Sequence, residues 1–219
     1  MADDSKDDAK TQNRAYFQKA YRTGEHGWPI EDPSPYVVRF FEQIRQEAPG
    51  GRVLDLGCGE GRHAIAAARM GFEVTGMDFE PLALKRARYQ AERAGTPNIT
   101  FRKGDALDLP YRSPRFDAII DYGCLHHQRK TDWPTYRTGL LRALKAGGFY
   151  AVSVFSPEFH LFRDSSRVWH VDDGVYRRCF RPADLMAFAG KRFEIQDLEE
   201  ERNGDRGFWH ALMRRTDAA

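Results

Sequence analysis

The chain has 219 residues, 30% of them charged, a formal net charge of +2 and three cysteines. That length suits one domain with a full core. The near-neutral charge argues against a nucleic-acid partner, and the longest apolar runs are strand-sized, too short to span a membrane. Cys58, Cys124 and Cys179 cannot all pair and show no Cys-x-x-Cys spacing, so a reducing cytoplasm is the expected location.

Residues 1–13 carry Asp3, Asp4, Asp7 and Asp8 without an apolar segment. They read as a disordered acidic tail and not as a secretory signal. Tyr16, Phe17, Ala20 and Tyr21 then recur at helical spacing, and the turn-rich run Gly24-Glu25-His26-Gly27-Trp28-Pro29 follows. Ser34-Pro35 reads as an N-cap with proline at the first helical position, and Val37, Val38, Phe41 and Ile44 share one helix face. Pro49-Gly50-Gly51 stops that helix.

From there strands and helices alternate. Residues 53–56 predict a buried strand, 62–70 an alanine-rich helix, 72–77 a strand and 81–94 a helix opened by Pro81. Strands follow over 98–102 and 116–121, and a helix runs over 133–145 with Gly147-Gly148 as its C-terminal turn. A strand over 149–155 precedes a stretch, 156–180, with no clear period. A helix near 183–189 and two strands, 193–198 and 208–213, joined at Asn203-Gly204 as a hairpin, complete the pattern. Alternation of this kind implies an α/β fold with a doubly wound parallel sheet. No repeat and no domain-sized linker is found, so residues 14–219 are expected to form a single domain.

The run Val53-Leu54-Asp55-Leu56-Gly57-Cys58-Gly59-Glu60-Gly61-Arg62 carries an apolar strand into a loop with glycine at every second position, and then into a helix. Glycines belong where the backbone takes positive φ or lies against a ligand, and the amides opening the next helix suit an anionic group. The dinucleotide fingerprint needs a glycine where Arg62 stands. By itself the loop also reads as a tight strand-to-helix turn.

Asp-x-Gly-x-Gly-x-Gly resembles motif I of the class I S-adenosylmethionine (SAM) dependent methyltransferases. Asp78 closes the second strand in Val74-Thr75-Gly76-Met77-Asp78, and Asp105 follows the third in Gly104-Asp105-Ala106. The resemblance implies that Asp78 holds the ribose and Asp105 meets the adenine amino group, with Phe79 and Ala106 walling the ring. It also implies that Asp55, Gly57, Cys58, Gly59 and Gly61 form the rest of the cofactor site. Glycine-loop amides would take the methionine carboxylate, and carbonyls of Gly57 and Asp121 the ammonium. Each acid alone also reads as an ordinary strand end or helix cap, and Cys58 as a small filler. Cys179-Phe180-Arg181-Pro182-Ala183-Asp184-Leu185 is similar to the Phe-Thr-Pro-Glu-Glu-Leu step before the last helix of many small-molecule methyltransferases. The resemblance spans roughly residues 35–215. It implies a Rossmann-like, seven-stranded, mostly parallel sheet with an antiparallel C-terminal hairpin. Trp28-Pro29 and the stretch 51–62 look somewhat like the thiopurine and tellurite-resistance branch, from which no substrate is inferred.

Asp121-Tyr122-Gly123-Cys124-Leu125-His126-His127 matches a family habit, a strand followed by Leu-His-His. His126 and His127 are candidate proton acceptors beside the transferable methyl group, and equally read as a cap or a loop organiser. On an extended segment only one of two adjacent side chains faces a pocket. Residues 156–180 are expected to cover the substrate, with His160, Arg163 and Trp169 as contacts, and residues 14–34 to form an N-terminal lid with Tyr16 and Trp28. His160, His170, Asp172 and Asp173 match no standard zinc spacing, so no metal is expected. The expected activity is methyl transfer from SAM to a small-molecule acceptor, by a monomer or homodimer. A SAM-binding regulator, a non-methylating SAM-using transferase and a protein methyltransferase are the alternatives.

Overall fold

The computed structural model describes residues 6–26, 28 and 32–217. Helix α1, Lys6–Thr23, opens the chain. The expected tail therefore gives way to helix from Lys6, and residues 1–5 of it lie outside the described residues. Helix α2 spans Pro35–Glu47 behind Ser34, and buries Val37, Phe40, Phe41 and Ile44. Next come β1, Arg52–Leu56, α3, Arg62–Arg69, β2, Glu73–Asp78, α4, Pro81–Arg93, β3, Ile99–Lys103, and β4, Phe116–Tyr122. Helix α5, Trp133–Ala143, leads into β5, Leu144–Phe155. A two-stranded hairpin, β6 Trp169–Asp172 and β7 Val175–Arg178, precedes α6, Pro182–Ala189. Strands β8, Phe193–Asn203, and β9, Arg206–Arg215, are the last elements.

The main sheet has seven strands in the order β3-β2-β1-β4-β5-β9-β8. Strands β1 to β5 pair in parallel, and β9 pairs antiparallel with both β5 and β8. This is the doubly wound sheet with an antiparallel end that the sequence implied. Its two faces carry separate cores. Phe40, Phe41, Ala64, Ala67 and Leu84 of α2–α4 pack on one face, and Trp133, Tyr136, Leu140, Leu185 and Phe188 of α5 and α6 on the other. The order of strands reverses between β1 and β4, so a crevice opens at their carboxyl ends, where ligands bind in sheets of this type.

Three expectations are corrected. The helix expected over 133–145 ends at Ala143, because Leu144 already pairs with Phe116; the ladder then shifts register before Ala118 meets Phe149. Gly147-Gly148 lies in that irregular stretch of β5, with Gly147 at φ +69°, and is not a helix terminus. The aperiodic stretch 156–180 contains the β6–β7 hairpin. Its pattern is hidden because Trp169 and Val171 are both largely exposed, leaving little apolar alternation. The final hairpin is longer than expected, with Asn203 pairing Arg206 around Gly204-Asp205. Its charged run Glu199–Arg202 belongs to edge strand β8, where charge protects an open edge.

Candidate active site

Strand β1 delivers the chain into a loop whose glycines sit at φ +71° (Gly57), +53° (Gly59) and +85° (Gly61). A Cβ on Gly59 would stand 2.8 Å from the Tyr21 hydroxyl, and one on Gly57 3.0 Å from the Cys124 Cβ. Conformation and crowding both require glycine there. Asp78 fastens the loop to β2: its Oδ2 accepts from the Gly59 amide at 2.9 Å and its Oδ1 from the Glu80 amide at 2.9 Å. Burial pushes its carboxyl above the usual range against those two bonds.

Gly57, Cys58, Gly59 and Asp78 line a cavity of about 720 Å³ together with Phe79, Asp105 and Ala106. Three residues expected at the cofactor stand back from it. Asp55 is buried, accepts the Ala64 amide and keeps Oδ2 without a partner; burial raises its carboxyl to about 7. Gly61 packs against Phe101 and Ala87 beneath the loop. Asp121 is fully buried and accepts from the amides of Cys124 (2.9 Å) and Leu125 (3.2 Å) and the hydroxyls of Tyr136 and Tyr150 (2.7 Å each), which fixes the segment after β4. Asp105 does face the cavity, and Arg14 of α1 reaches it at 3.0 Å while its Oδ1 accepts the Leu107 amide at 2.9 Å.

His126 and His127 both line the cavity. They lie on a 3-10 turn, Leu125–His127, not on an extended segment, so the expected opposition of neighbouring side chains does not hold. Their four ring nitrogens form one chain. The Phe155 amide donates to His126 Nδ1 at 3.3 Å, the two Nε2 atoms meet at 3.2 Å, and His127 Nδ1 meets the Tyr176 carbonyl at 2.8 Å. A carbonyl only accepts, so His127 Nδ1 carries a proton, and His126 Nδ1, facing an amide, carries none. Both rings are then neutral, with His126 Nε2–H donating to His127 Nε2. Burial lowers both, His127 to about 4.

Beyond the histidines the cavity is aromatic. Phe155 stacks on the His126 ring at 3.6 Å and on Phe159 at 3.9 Å, and Tyr122 stacks on Phe208 at 5.6 Å. Helix α1 closes the roof. Phe17 meets Phe79 at 5.8 Å and His127 at 5.1 Å, and Asn13 bridges the His127 carbonyl (3.1 Å) and the Tyr176 amide (2.7 Å). Tyr16, Trp28 and His160, expected as substrate contacts, line this space. Arg163 and Trp169 do not: Arg163 donates to the carbonyls of Glu158 (2.8 Å) and Gly204 (2.6 Å), and Trp169 is half exposed beside Tyr176. Sequence reasoning missed Phe17, Tyr122, Phe155 and Phe208. Tyr122 and Phe155 end β4 and β5, and position at strand carboxyl ends was the available signal. Among the described residues, no group of three or more His, Cys, Asp or Glu side chains is placed to hold a metal, and no helix is long and apolar enough to cross a membrane.

The surroundings fit SAM. The Asp78 carboxylate takes the Gly59 and Glu80 amides and keeps lone-pair capacity for a ribose hydroxyl, and the loop is bare of side chains where the glycines stand. A family model described as a methyltransferase domain matches residues 53–148. The chain carries a methyltransferase domain over these residues. It is similar to the 2-heptyl-1-hydroxyquinolin-4(1H)-one methyltransferase of Mycobacteroides abscessus, 29% identical over 81% of this chain and 82% of that one. The ubiquinone biosynthesis O-methyltransferase of Paracidovorax citrulli is 38% identical over 58% of this chain and 53% of its own. Among solved structures, the 1,6-didemethyltoxoflavin-N1-methyltransferase of Burkholderia thailandensis, with 1,6-didemethyltoxoflavin and S-adenosylhomocysteine bound, shares the fold. It has a TM-score of 0.79 at 22% identity, over 99% of this chain and 93% of that one.

Proposed function

We propose that the chain methylates a flat, aromatic small molecule held against Phe155, Phe159 and Phe208. The observation that carries this is the continuity of one cavity, of about 720 Å³, from the glycine loop and Asp78 to the aromatic chamber. That volume falls within the range of about 300–1,000 Å³ usual for small-molecule sites. A cavity shared between SAM and an acceptor, and roofed by α1, favours a small acceptor over a protein chain. The hydroxyquinolinone in the name of the Mycobacteroides abscessus relative is a flat molecule of this kind.

In this reading Asp78 accepts from the ribose hydroxyls, Phe79 and Ala106 wall the adenine, and Asp105 is shared between Arg14 and the adenine amino group. SAM supplies an activated methyl group; the protein aligns the acceptor behind it and excludes water. With all four ring nitrogens engaged, His126 and His127 position the roof and do not abstract the acceptor proton. Three free cysteines suit a cytoplasmic enzyme. Isothermal titration tests the cofactor assignment: SAM is expected to bind in the micromolar range, and no heat at up to millimolar ligand overturns the reading.

A further inference from the structure

We propose that the acceptor carries an anionic oxygen, as a carboxylate or an ionised hydroxyl, and that Arg177 holds it; the proposal rests on the flat-acceptor reading above. Arg177 belongs to β7 and follows Tyr176, whose carbonyl is held by His127. Its side chain lines the cavity and is only 14% exposed. The guanidinium carbon lies 5.1 Å from the centre of the Tyr16 ring of α1. Its charge reaches both histidines: burial lowers the His126 and His127 imidazoles most, and Arg177 lowers both further. His126 in turn stacks on Phe155 at 3.6 Å. The cation therefore stands where the roof meets the aromatic chamber.

A cation taken out of water needs a counter-charge, and that of Arg177 is weak. Among the described residues its polar partners are both on Asp172: the carbonyl, which accepts from an Nη at 3.3 Å, and the carboxylate, whose Oδ2 is 4.0 Å away. The Asp172 side chain is 66% exposed, so water screens most of that attraction. The next residue, Arg178, is paired differently, meeting the largely buried Asp184 at 3.3 Å. Other charges on the cavity wall are balanced or stand elsewhere. Arg14 meets Asp105 at 3.0 Å. Burial raises the Tyr176 hydroxyl, on which Arg129 and Asp132 act with opposite sign. Asp205 and Arg206 are exposed at the turn of the final hairpin, and Arg62 lies over the Tyr122 ring at 4.9 Å. An anionic oxygen on a flat ring supplies what Arg177 lacks. The guanidinium fork meets it through charge-assisted N–H bonds, while the ring lies among the phenylalanines.

Two probes of one shape test this: 2-naphthoate, an anion, and 2-naphthamide, which is neutral. With the full chain saturated by S-adenosylhomocysteine, calorimetry is expected to show naphthoate bound roughly 10- to 100-fold more tightly. Arg177→Met keeps an apolar stem and removes the charge. It is expected to erase the preference and to leave naphthamide and S-adenosylhomocysteine each within about threefold of wild type. Arg177→Lys should restore part of the preference, since it keeps charge without the fork. Equal binding of the two probes by wild type overturns the proposal. Equal weakening of both in Arg177→Met overturns it too, and makes the arginine a structural residue. So does a preference that survives Arg177→Met and disappears in Arg206→Met, which assigns the anion to the final hairpin. S-adenosylhomocysteine that binds while neither probe does contradicts the flat-acceptor reading itself, and the proposal with it.

Discussion

Asp55 and Asp78 end neighbouring parallel strands and have opposite duties. Asp78 opens onto the cavity, and Asp55 caps α3 from inside with one oxygen unpartnered. Burial raises the Asp55 carboxyl to about 7, so the fold binds its proton more tightly than the unfolded chain does. Its ionisation therefore works against the fold progressively as pH rises from the ordinary carboxylate range to about 7, and the cost is constant above that. Asp55→Asn keeps the acceptor for the Ala64 amide and removes the ionisation. Its melting temperature relative to wild type is expected to be higher at pH 8 than at pH 5; an equal difference at both would show that Asp55 is charged throughout. Sequence alone showed that three acids fall at strand ends. Which of them faces the cavity depends on the turn that follows, and that was not legible.

At the scale of elements, the roof is held by few polar contacts across segments distant in sequence. Asn13 ties α1 to the His127 carbonyl and the Tyr176 amide, and the histidine chain holds the carbonyl of the same residue, Tyr176. Both Asn13 bonds link a lid to parts of the roof, so Asn13→Ala should loosen closure by about 1–3 kcal/mol. Hydrogen exchange is expected to rise in α1 and β7, while β1 and β4 stay protected. Unchanged exchange in α1 would show that its aromatic contacts alone hold the lid. Tyr16, Phe17, Ala20 and Tyr21 made this helix legible from their spacing. Its partners were not legible, because β6 and β7 show little apolar alternation: Trp169 and Val171 are exposed, and arginines occupy positions 177 and 178. Arg163 was misread for a related reason. Its partners are backbone carbonyls, which no side-chain pattern reports.

Across the whole molecule, the alternation of strands and helices carried the sheet and the place of its crevice into the sequence, since each element buries a face set by its own period. Exits from the sheet were harder. The Leu144 pairing with Phe116 competes with helix continuation, and the long β8–β9 hairpin uses charged edge residues that resemble a loop. The glycine loop and Asp78 form a local turn at a strand end, and their place at the crevice was legible; the aromatic chamber gathers Tyr122, Phe155, Phe159 and Phe208 from β4, β5, the turn after it and β9, and was not. Transfer of an isotopically labelled methyl group tests the account as a whole. With labelled SAM and a panel of flat hydroxy- and N–H-bearing heteroaromatics, mass spectrometry is expected to find the label on an acceptor, with one S-adenosylhomocysteine released per methyl transferred. SAM that binds tightly yet yields no labelled acceptor across the panel, or label found on protein instead, would contradict it.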